Sequence, residues 1–504
     1  MADAACGYHH GMTQQLPGLD LLAGSDESRD EFDLEPLACP GVFYPTLAAD
    51  GVLSRIRTPG GLVTATQCRL VAEIADAFAN GVVTVTNRAN LQLRALTEQL
   101  PGDVLVRMQR AGLASMQPSM DHLRNIMTSP AAGLDADAVL DTRPLVRAFD
   151  AYLAEHVELA RLPAKFSVGF DGGEHASIAS QPNDILFRAY RTSGTGAEAR
   201  LRVVVRAGHD DGEPIDLGFA VRPGQTTEVA ATIAHFYLDA LPADGPGPRL
   251  RHVIAELGIP ALRAAILERL PDLASDGAAL PAPTEAPRAP IGAHAQRDTQ
   301  CDEGVTYVGL APFLGGLSGE QLRALADLAD RFGSGALRLT PWRSVVIPDV
   351  TAESVDALQD ALEVLGLPAG ASATSGIVAC AGSAGCGAGA TDTVRDAQHL
   401  AAALGAQGTS ALNVHLTGCG KCCAQRRPAD VSLLGRVGAT ESYDIFVRGE
   451  GDPRLGRLLF EDVPAAQAIA IAARLADGFA AAGGTSFRAF VEGRTAAELA
   501  LLRD

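Results

Sequence analysis

The amino-acid sequence predicts an α+β protein made of two related halves about a pseudo-twofold axis. The chain has 504 residues, which is too long for one ordinary hydrophobic core and favours several structural units. A stretch rich in proline and alanine at residues 272–303 has the composition of a linker and divides the chain. Similar segments occur on both sides of this linker. Together these observations predict duplicated domains that mix helices and strands.

The repeat is clearest in residues 60–86 and 315–340. Each segment reads as a glycine turn, then a helix with apolar residues at helical spacing, then a short alternating strand. A constant offset of 254 residues aligns Gln67 with Gln321 and Phe78 with Phe332 without a gap. Two unrelated helix-then-strand units would be the alternative, but an offset maintained over this length indicates duplication.

Shifts in composition divide the chain into six predicted segments. A mobile acidic arm precedes the first repeat, and each repeat leads into a larger mixed α/β domain. The segments are 1–36 (arm), 37–110 (first repeat), 111–271 (first α/β domain), 272–303 (linker), 304–370 (second repeat) and 371–504 (second α/β domain).

Charge and hydropathy exclude several classes of function. The formal net charge of -19 argues against nucleic acid or an anionic membrane as a partner, because both attract basic surfaces. No apolar run reaches the roughly 18–20 residues that span a bilayer, and the first residues lack the pattern of a signal peptide. We therefore expect a cytoplasmic protein with no membrane or nucleic-acid partner. Thiols stay reduced there, so clustered cysteines are expected to bind metal or to act in catalysis.

Five of the nine cysteines fall within residues 380–423. They form the pattern Cys380-x5-Cys386, followed after a gap by Cys419-x3-Cys423, with Cys422 inside the second pair. The glycine-rich stretch ACAGSAGCGAGAT allows the backbone to wrap a bulky cluster and to point N–H groups at its sulfides. The pattern favours an iron–sulfur cluster. One of the two adjacent cysteines is surplus, because neighbouring side chains on an extended segment diverge.

Two other kinds of cysteine site stay open at this point. Zinc sites prefer two to four residues between paired ligands, so the five-residue gap fits zinc poorly. A redox dithiol at Cys419 and Cys422 would be expected within a thioredoxin-like βαβ unit, which the surrounding sequence does not show.

The spacing of the cysteine pairs, followed by the strand-like VSLLG, resembles the sulfite and nitrite reductase family. The stretches SRIRTPGG (54–61), TNRANLQLR (86–94), DHLRNIMTSPAAG (121–133) and LPAKF (162–166) resemble motifs of the same family in the same order. The resemblance implies that each half is a ferredoxin-like half-domain followed by a larger mixed α/β domain. It also implies a [4Fe–4S] cluster, whose ligands here would be Cys380, Cys386, Cys419 and Cys423. In the reductases the last of these ligands also bridges to sirohaem iron.

The same motifs supply cations that suit a tetrapyrrole with many carboxylates. Guanidinium forks bind carboxylates in a bidentate manner. The residues expected to do so are Arg55, Arg57, Arg88 and Arg124. By the same resemblance, Lys165, Lys421 and Arg124 are expected to act in catalysis.

Several stretches resemble the precorrin-3B synthase branch of the family more than the reductases. They are LACPGVFYPTLAADG (38–52), LRLTPWRSVVIP (337–348) and NVHLTGCGKC (413–422). Lys421 resembles the synthases, and Ser167 stands where reductases have a second lysine beside the bound oxyanion. The expected function is therefore oxygen-dependent hydroxylation and γ-lactone formation on precorrin-3A in cobalamin biosynthesis. The alternative is a sirohaem-dependent sulfite or nitrite reductase.

The synthase branch implies a mononuclear non-haem iron beside the cluster. His415 and His122 are candidate ligands because imidazole suits this metal, with His175 a weaker candidate. No nucleotide-binding fingerprint is present, so electrons are expected from a separate NAD(P)H-dependent donor, with precorrin-3A and dioxygen as the other partners. Trp342 aligns with Arg88 in the repeat, where it would pack on a macrocycle or in an ordinary core.

Overall fold

The computed structural model describes residues 41–192, 197–208, 212–243, 247–275, 290–297, 304–370, 372, 374–407, 412–483, 486–494 and 498. The predicted arm at residues 1–36 lies outside the described residues, as do Cys6, Cys39 and Cys301. The chain forms two compact units. Among the described residues, the first unit contains those within Val52–Leu310 and Leu317–Leu365 and those from 41 to Leu47. The second contains Ala48–Gly51, Ala311–Gly316 and the described residues from 366 onward.

Strands and helices alternate along the described chain. The strands are β1 (Thr46–Ala48), β2 (Gly51–Ile56), β3 (Leu62–Thr64), β4 (Val82–Val85), β5 (Leu91–Leu96), β6 (Ile126–Thr128), β7 (Val168–Asp171), β8 (Ile185–Arg191), β9 (Ala199–Ala207), β10 (Glu213–Asp216), β11 (Gly292–Ala295), β12 (Val305–Leu310), β13 (Gly316–Ser318), β14 (Ala336–Leu339), β15 (Val345–Thr351), β16 (Ile377–Ala379), β17 (Val414–Thr417), β18 (Val431–Arg436), β19 (Ser442–Asp452) and β20 (Gly456–Pro464). The α-helices are α1 (Ala65–Phe78), α2 (Gly102–Arg110), α3 (Arg143–Glu155), α4 (Thr226–Asp239), α5 (Leu250–Leu257), α6 (Ile259–Arg269), α7 (Gly319–Phe332), α8 (Val355–Val364), α9 (Gly382–Gly385), α10 (Thr393–Gln407), α11 (Ala465–Ala481) and α12 (Phe487–Glu492).

The predicted duplication is confirmed and is longer than the sequence indicates. Strands β2, β3 and β4 and helix α1 recur 254 residues later as β12, β13, β14 and α7, with the same first and last positions in each pair. Both helices also begin in the same way. Thr64 accepts a hydrogen bond from the backbone N–H of Gln67, whose side chain accepts one from the Thr64 N–H, and Ser318 and Gln321 repeat this capping box.

The two half-domains exchange one strand each. The first sheet has the order β1-β2-β5-β4-β13 and the second has the order β11-β12-β15-β14-β3. The residues of β3 pair antiparallel with Ala336–Arg338 of β14. Backbone bonds next to these strands are also reciprocal, since Ala65 N donates to Gly335 O and Gly319 N donates to Gly81 O. The sheet of each half-domain is therefore completed by a strand from the other half-domain of the same chain.

Helices α1 and α7 meet through a symmetric pair of ion pairs. Arg69 lies 2.6 Å from Asp330, and Arg323 lies 2.6 Å from Asp76. Because these residues occupy equivalent positions of the two repeats, the contact has the form of an isologous twofold interface within one chain.

Each α/β domain contains a five-stranded sheet of the same topology. The orders are β6-β7-β8-β9-β10 and β16-β17-β18-β19-β20. In both sheets the first three strands are parallel and the last two pairings are antiparallel. Helices α3, α4, α5 and α6 supply apolar residues to the core against the first sheet, and α10, α11 and α12 do so for the second. The predicted α+β class with two related halves is confirmed.

The predicted linker contains one element of the fold, since β11 lies within residues 272–303 and pairs with β12. None of the helices in the described part of the chain is long and apolar enough to cross a membrane.

Candidate functional site

The clustered cysteines lie where two parallel strands of the second unit end. Cys380 directly follows β16, and Cys419 comes two residues after β17. These strands are parallel neighbours, with Ala379 beside Leu416. Their carboxyl ends therefore meet at one edge of the sheet, and two loops carry the thiols from that edge.

Backbone N–H groups converge on the Cys380 sulfur. Gly382 N lies 3.4 Å and Gly418 N lies 3.2 Å from Cys380 Sγ. Gly382 adopts a φ of +60°, and a Cβ there would approach Thr393 N to 2.6 Å, so only glycine fits this turn. N–H donors aimed at a ligand sulfur stabilise the thiolate and tune the potential of an iron–sulfur cluster.

Cys422 differs in its surroundings from the other four clustered cysteines. Cys386 and Cys423 are exposed and Cys380 and Cys419 are half-buried, whereas Cys422 is fully buried. Burial raises the pKa of the Cys422 thiol to about 11. Burial also raises the pKa of Cys423, and Cys419, Cys380 and Cys386 add to this shift because their thiols lie nearby. A metal that replaces the protons would relieve this mutual repulsion.

The separation of the thiols bears on which metal fits. Among the described residues, two groups bring three metal-binding atoms within 4.8 Å of one another, and neither group contains a cysteine. A single zinc ion needs ligands at about 2.0–2.3 Å and hence closer together. The described cysteines form no such close group, which agrees with ligands that surround a larger four-iron cluster.

In the first unit, charged and polar residues lie at the amino ends of three parallel strands. The segments that precede the parallel strands β6, β7 and β8 hold Arg124, Lys165 and Asp184 respectively. Hydrogen bonds from Val168 N to Asn125 O and from Ile185 N to Ser167 O join these segments. We call Arg88, Arg124, Lys165 and Arg249 the cation cluster.

Arg88 and Arg124 are held in place by polar partners. Arg88 extends from the turn between β4 and β5 and donates to Asn183 Oδ1 at 2.7 Å and to Asn125 Oδ1 at 3.5 Å. Arg124 Nε donates to Asp150 Oδ1 at 3.0 Å. The Nη1 atom of Arg124 is buried and has no hydrogen-bond partner among the described residues. A buried guanidinium nitrogen in this position suits an anionic group of a ligand.

Ser167 is packed inside the protein. It is 3% exposed, and its Oγ donates to Asp184 Oδ2 at 3.0 Å. Arg249 also binds Asp184, at 3.0 Å, and donates to the Lys165 carbonyl oxygen at 3.3 Å. The Lys165 side chain is exposed. Position 167 is therefore part of a buried hydrogen-bond network.

The remaining predicted carboxylate-binding arginines lie on or just after β2. Arg55 donates to Gln92 Oε1 at 3.1 Å. Arg57 is buried, and its Nη1 lies 3.7 Å from Asp121 Oδ2. His122, next to Asp121, is also buried, and its Nε2 lies 2.9 Å from the Leu162 carbonyl oxygen. Burial lowers the pKa of His122 to about 4, so the ring is neutral at pH 7 and Nε2 carries the donated proton.

Comparison with known proteins decides the family. The model of the nitrite and sulphite reductase 4Fe-4S domain matches residues 119–272. The model of the nitrite/sulfite reductase ferredoxin-like half domain matches residues 47–104 and 298–365. A ferredoxin–nitrite reductase of Synechococcus elongatus is 30% identical over 471 residues, covering 84% of this chain and 86% of that protein. The chain belongs to the nitrite and sulfite reductase family.

Other relatives agree with this membership. Sulfite reductase [ferredoxin] 1 of Mycolicibacterium paratuberculosis is 28% identical over 398 residues, covering 76% of this chain and 70% of that protein. The solved structure of the Mycobacterium tuberculosis NirA protein has a TM-score of 0.75 at 24% identity, covering 89% of this chain and 84% of that one, which bears on the fold alone. The ferredoxin-like half-domains predicted from the sequence are thus confirmed.

The expected synthase function is wrong. Relatives that align with more than three quarters of this chain are named ferredoxin–nitrite reductase or ferredoxin sulfite reductase. Three stretches of the sequence (38–52, 337–348 and 413–422), together with Ser167, favoured the synthase. In the structure Lys421, within the third stretch, is an exposed loop residue, and Ser167 is buried and bonded to Asp184. The expected partners, namely precorrin-3A, dioxygen and a separate NAD(P)H-dependent donor, are wrong for the same reason, because the relatives' names specify ferredoxin.

The two histidines expected to bind a mononuclear iron, His415 and His122, lie in no group of metal-binding side chains within the part of the chain that the structure describes. His415 lies on β17 and is completely buried, with Val378 and Ser432 beside it on the neighbouring strands. His175 belongs to such a group, and its contacts are described below. Trp342 packs against an apolar cluster that includes Tyr307 and Val346, as an ordinary core residue does.

Sequence reasoning missed several residues of the cation cluster's surroundings. Asn125 lies inside a motif recognised in the sequence but was not singled out. Asp184 and Arg249 belong to no motif. Asp184 lies beside Ser167 because β7 and β8 run side by side, and Arg249 reaches Asp184 from the start of α5. The parallel order of these strands is the signal that would have placed Asp184 beside Ser167.

Proposed function

We propose that this protein is a ferredoxin-dependent nitrite reductase that carries a [4Fe–4S] cluster and sirohaem. The observation that carries the proposal is the 30% identity to a ferredoxin–nitrite reductase over 84% of the chain, together with four thiols gathered at one sheet edge. Sulfite is the second candidate substrate, because a ferredoxin sulfite reductase matches 76% of the chain.

The residues of the second unit fit the cluster. Cys380, Cys386, Cys419 and Cys423 would hold it, with the N–H groups of Gly382 and Gly418 on the Cys380 sulfur. When bound, the cluster and the sirohaem supply electrons one at a time to an anion that needs six. A cytoplasmic location belongs to this proposal, since the ligands must remain reduced thiolates.

The residues of the first unit fit an anionic tetrapyrrole and a small anionic substrate. Arg55, Arg57 and the buried Nη1 of Arg124 would bind carboxylates, and Arg88 is fixed for the same task by Asn183. Lys165 is the exposed cation of the cluster. Its ammonium would attract the anion and donate a proton as oxygen leaves as water, and Arg249 fixes the backbone at this position by donating to the Lys165 carbonyl oxygen.

The test is anaerobic purification followed by spectroscopy and turnover. We expect sirohaem absorption bands, iron and acid-labile sulfide, and ammonium formation from nitrite with reduced ferredoxin but not with NADH alone. Sulfide formation from sulfite at a higher kcat/KM would select the second substrate. Absence of both sirohaem and turnover in protein that holds a full cluster would contradict the proposal.

A pair of variants tests the proposed role of Lys165. Lys165→Ala should lower kcat for nitrite at least tenfold, because one proton donor and one cation are lost. Arg323→Ala, which removes an exposed cation on α7, is the matched control and should leave kcat unchanged. Equal activity of both variants would remove Lys165 from the proposed site.

A further inference from the structure

Two histidines and a glutamate converge on the surface of the first α/β domain. His156 follows the last residue of α3, Glu158 lies in the short 3-10 helix Val157–Arg161, and His235 lies on α4. One ligand atom from each side chain lies within 4.8 Å of one from each of the others. We call these residues the His-Glu-His site. None of these three residues is a proposed ligand of the iron–sulfur cluster or a member of the cation cluster.

The distances within the His-Glu-His site are close to those of a metal centre. His156 Nδ1 lies 2.8 Å and His235 Nε2 lies 3.9 Å from Glu158 Oε1. Ligand atoms about 2.0–2.1 Å from a tetrahedral zinc ion are about 3.3 Å apart. Side-chain rotations that move these atoms by about half an ångström would therefore let all three coordinate one zinc ion.

The backbone under the site is fixed by the hydrophobic core. Leu159 and Ala234 are adjacent in sequence to Glu158 and His235, and Leu153 lies three positions before His156. All three are buried in one core cluster. The His156 ring also stacks on Tyr152, with 3.8 Å between ring centroids and 22° between planes. This stacking orients one ligand before any ion arrives, which is what aromatic and hydrogen-bonding neighbours do in known metal sites.

The site is also open to solvent. His156 and His235 are each 35% exposed and Glu158 is 48% exposed. An ion held by three protein ligands would keep one position for water, as in zinc sites with two histidines and one glutamate. The Tyr152 hydroxyl lies 3.4 Å from His235 Nε2 and would turn its proton away when that nitrogen binds the metal.

A second group in the same unit fits an ion less well. Asp135 contacts Nδ1 of His175 at 3.0 Å, whereas Asp137 lies 3.7 Å from Nε2 of the same ring. The lone pairs of the two nitrogens point in different directions, so one ion cannot use both contacts. Asp135 also accepts a hydrogen bond from the His175 backbone N–H at 2.7 Å, which explains this group without a metal.

We propose that His156, Glu158 and His235 form a binding site for a divalent transition-metal ion, with zinc as the best-suited ion. The ion would tie α4 to the segment that follows α3. Two imidazoles and one carboxylate favour zinc over calcium or magnesium, which prefer oxygen ligands alone.

The experiment is a zinc titration of the cluster-loaded protein by calorimetry, so that the cysteines are already occupied. Wild-type protein should bind one zinc ion per chain, and zinc should raise its melting temperature. His235→Ala and Glu158→Gln should each weaken this binding at least tenfold and abolish the rise in melting temperature. Glu158→Gln preserves the shape of the side chain, so its result does not depend on a change of packing.

His175→Ala is the matched control, because it removes an exposed histidine beside two aspartates and should bind zinc like the wild type. The proposal is overturned if wild type binds no zinc beyond its cluster, if all variants bind equally, or if only His175→Ala loses the ion.

Discussion

Cys422 and Cys423 are adjacent in the chain but face different environments. Cys422 is completely buried and adopts a φ of +48°, whereas Cys423 is exposed near three other thiols. We therefore expect Cys422→Ala to retain the full content of iron and acid-labile sulfide, and Cys423→Ala to lose most of it, because a cubane needs four ligands. The measurement is metal and sulfide analysis of anaerobically purified variants.

Cys68→Ala is a control for this pair of variants, since Cys68 is buried in α1 and belongs to the first unit, whereas the clustered cysteines belong to the second. It should keep the full cluster. Equal loss in Cys422→Ala and Cys423→Ala would show that the assignment of ligands is wrong.

His122 makes stability depend on pH. Burial lowers its pKa from about 6.5 in the unfolded chain to about 4 in the folded one, so protons bind preferentially to the unfolded state. The stabilisation is fully present above pH 6.5 and is lost as the pH falls towards 4. Between pH 7 and pH 5 the loss is about 2 kcal/mol, and denaturant titrations of wild type and His122→Gln would measure it.

The His122→Gln variant should lose less stability over this pH range than wild type. His399→Gln, in which an exposed histidine of α10 is replaced, should have the wild-type slope. Identical slopes for all three proteins would mean that His122 does not titrate as its burial implies.

At the residue level, the sequence predicted candidate cluster ligands and carboxylate-binding residues, but not the residues to which their side chains are hydrogen-bonded. The cysteine spacing favours an iron–sulfur cluster because a five-residue gap fits zinc poorly and the glycine-rich loop can wrap a larger cluster. That assignment stays a prediction. Ser167 favoured the synthase over the reductase, and the relatives contradict that interpretation. A sequence also does not show that this hydroxyl bonds to Asp184 seventeen positions later.

At the level of elements, the strands β3 and β13 join the two repeats. Both have three residues, too few for an alternating pattern, and their partners are distant in the chain, so sequence periodicity could not predict the exchange. Helices α1 and α7 were predictable because their apolar spacing extends over fourteen residues and each carries its own capping residues.

A substitution in the turn before β3 tests how strongly the exchange couples the repeats. Gly61 has a φ of +69°, and a Cβ there would overlap the carbonyl oxygen of Leu339 in β14. Gly61→Ala should therefore destabilise both repeats, by about 1–3 kcal/mol, and should speed amide hydrogen exchange in β14 as well as in β3.

Gly224→Ala is the matched control, because no described atom beyond Gly224 and its two chain neighbours lies within 4 Å of a Cβ at that position. It should change neither stability nor exchange appreciably. Faster exchange confined to β3 in Gly61→Ala would show that the two sheets open independently.

At the level of the whole molecule, the duplication extends to the α/β domains, although only the second carries thiols at its strand ends. The 4Fe-4S domain model matches residues 119–272, which contain no cysteine, and the structure explains this match by the shared order and direction of the two sheets. The sequence predicted two halves from the helices of the repeats. It could not predict equal sheet topologies, because the strands of the two α/β domains have different lengths and spacings.

The strand exchange also has a consequence for the chain as it leaves the ribosome. The edge of β4 has no partner strand until β13 has been made, and 230 residues separate Val85 from Gly316. At about 5–20 residues per second this takes roughly 10 to 50 seconds. During that interval the nascent chain presents an open edge, to which a second nascent copy can pair. Slow codons between these two strands would lengthen the exposure and increase co-translational aggregation.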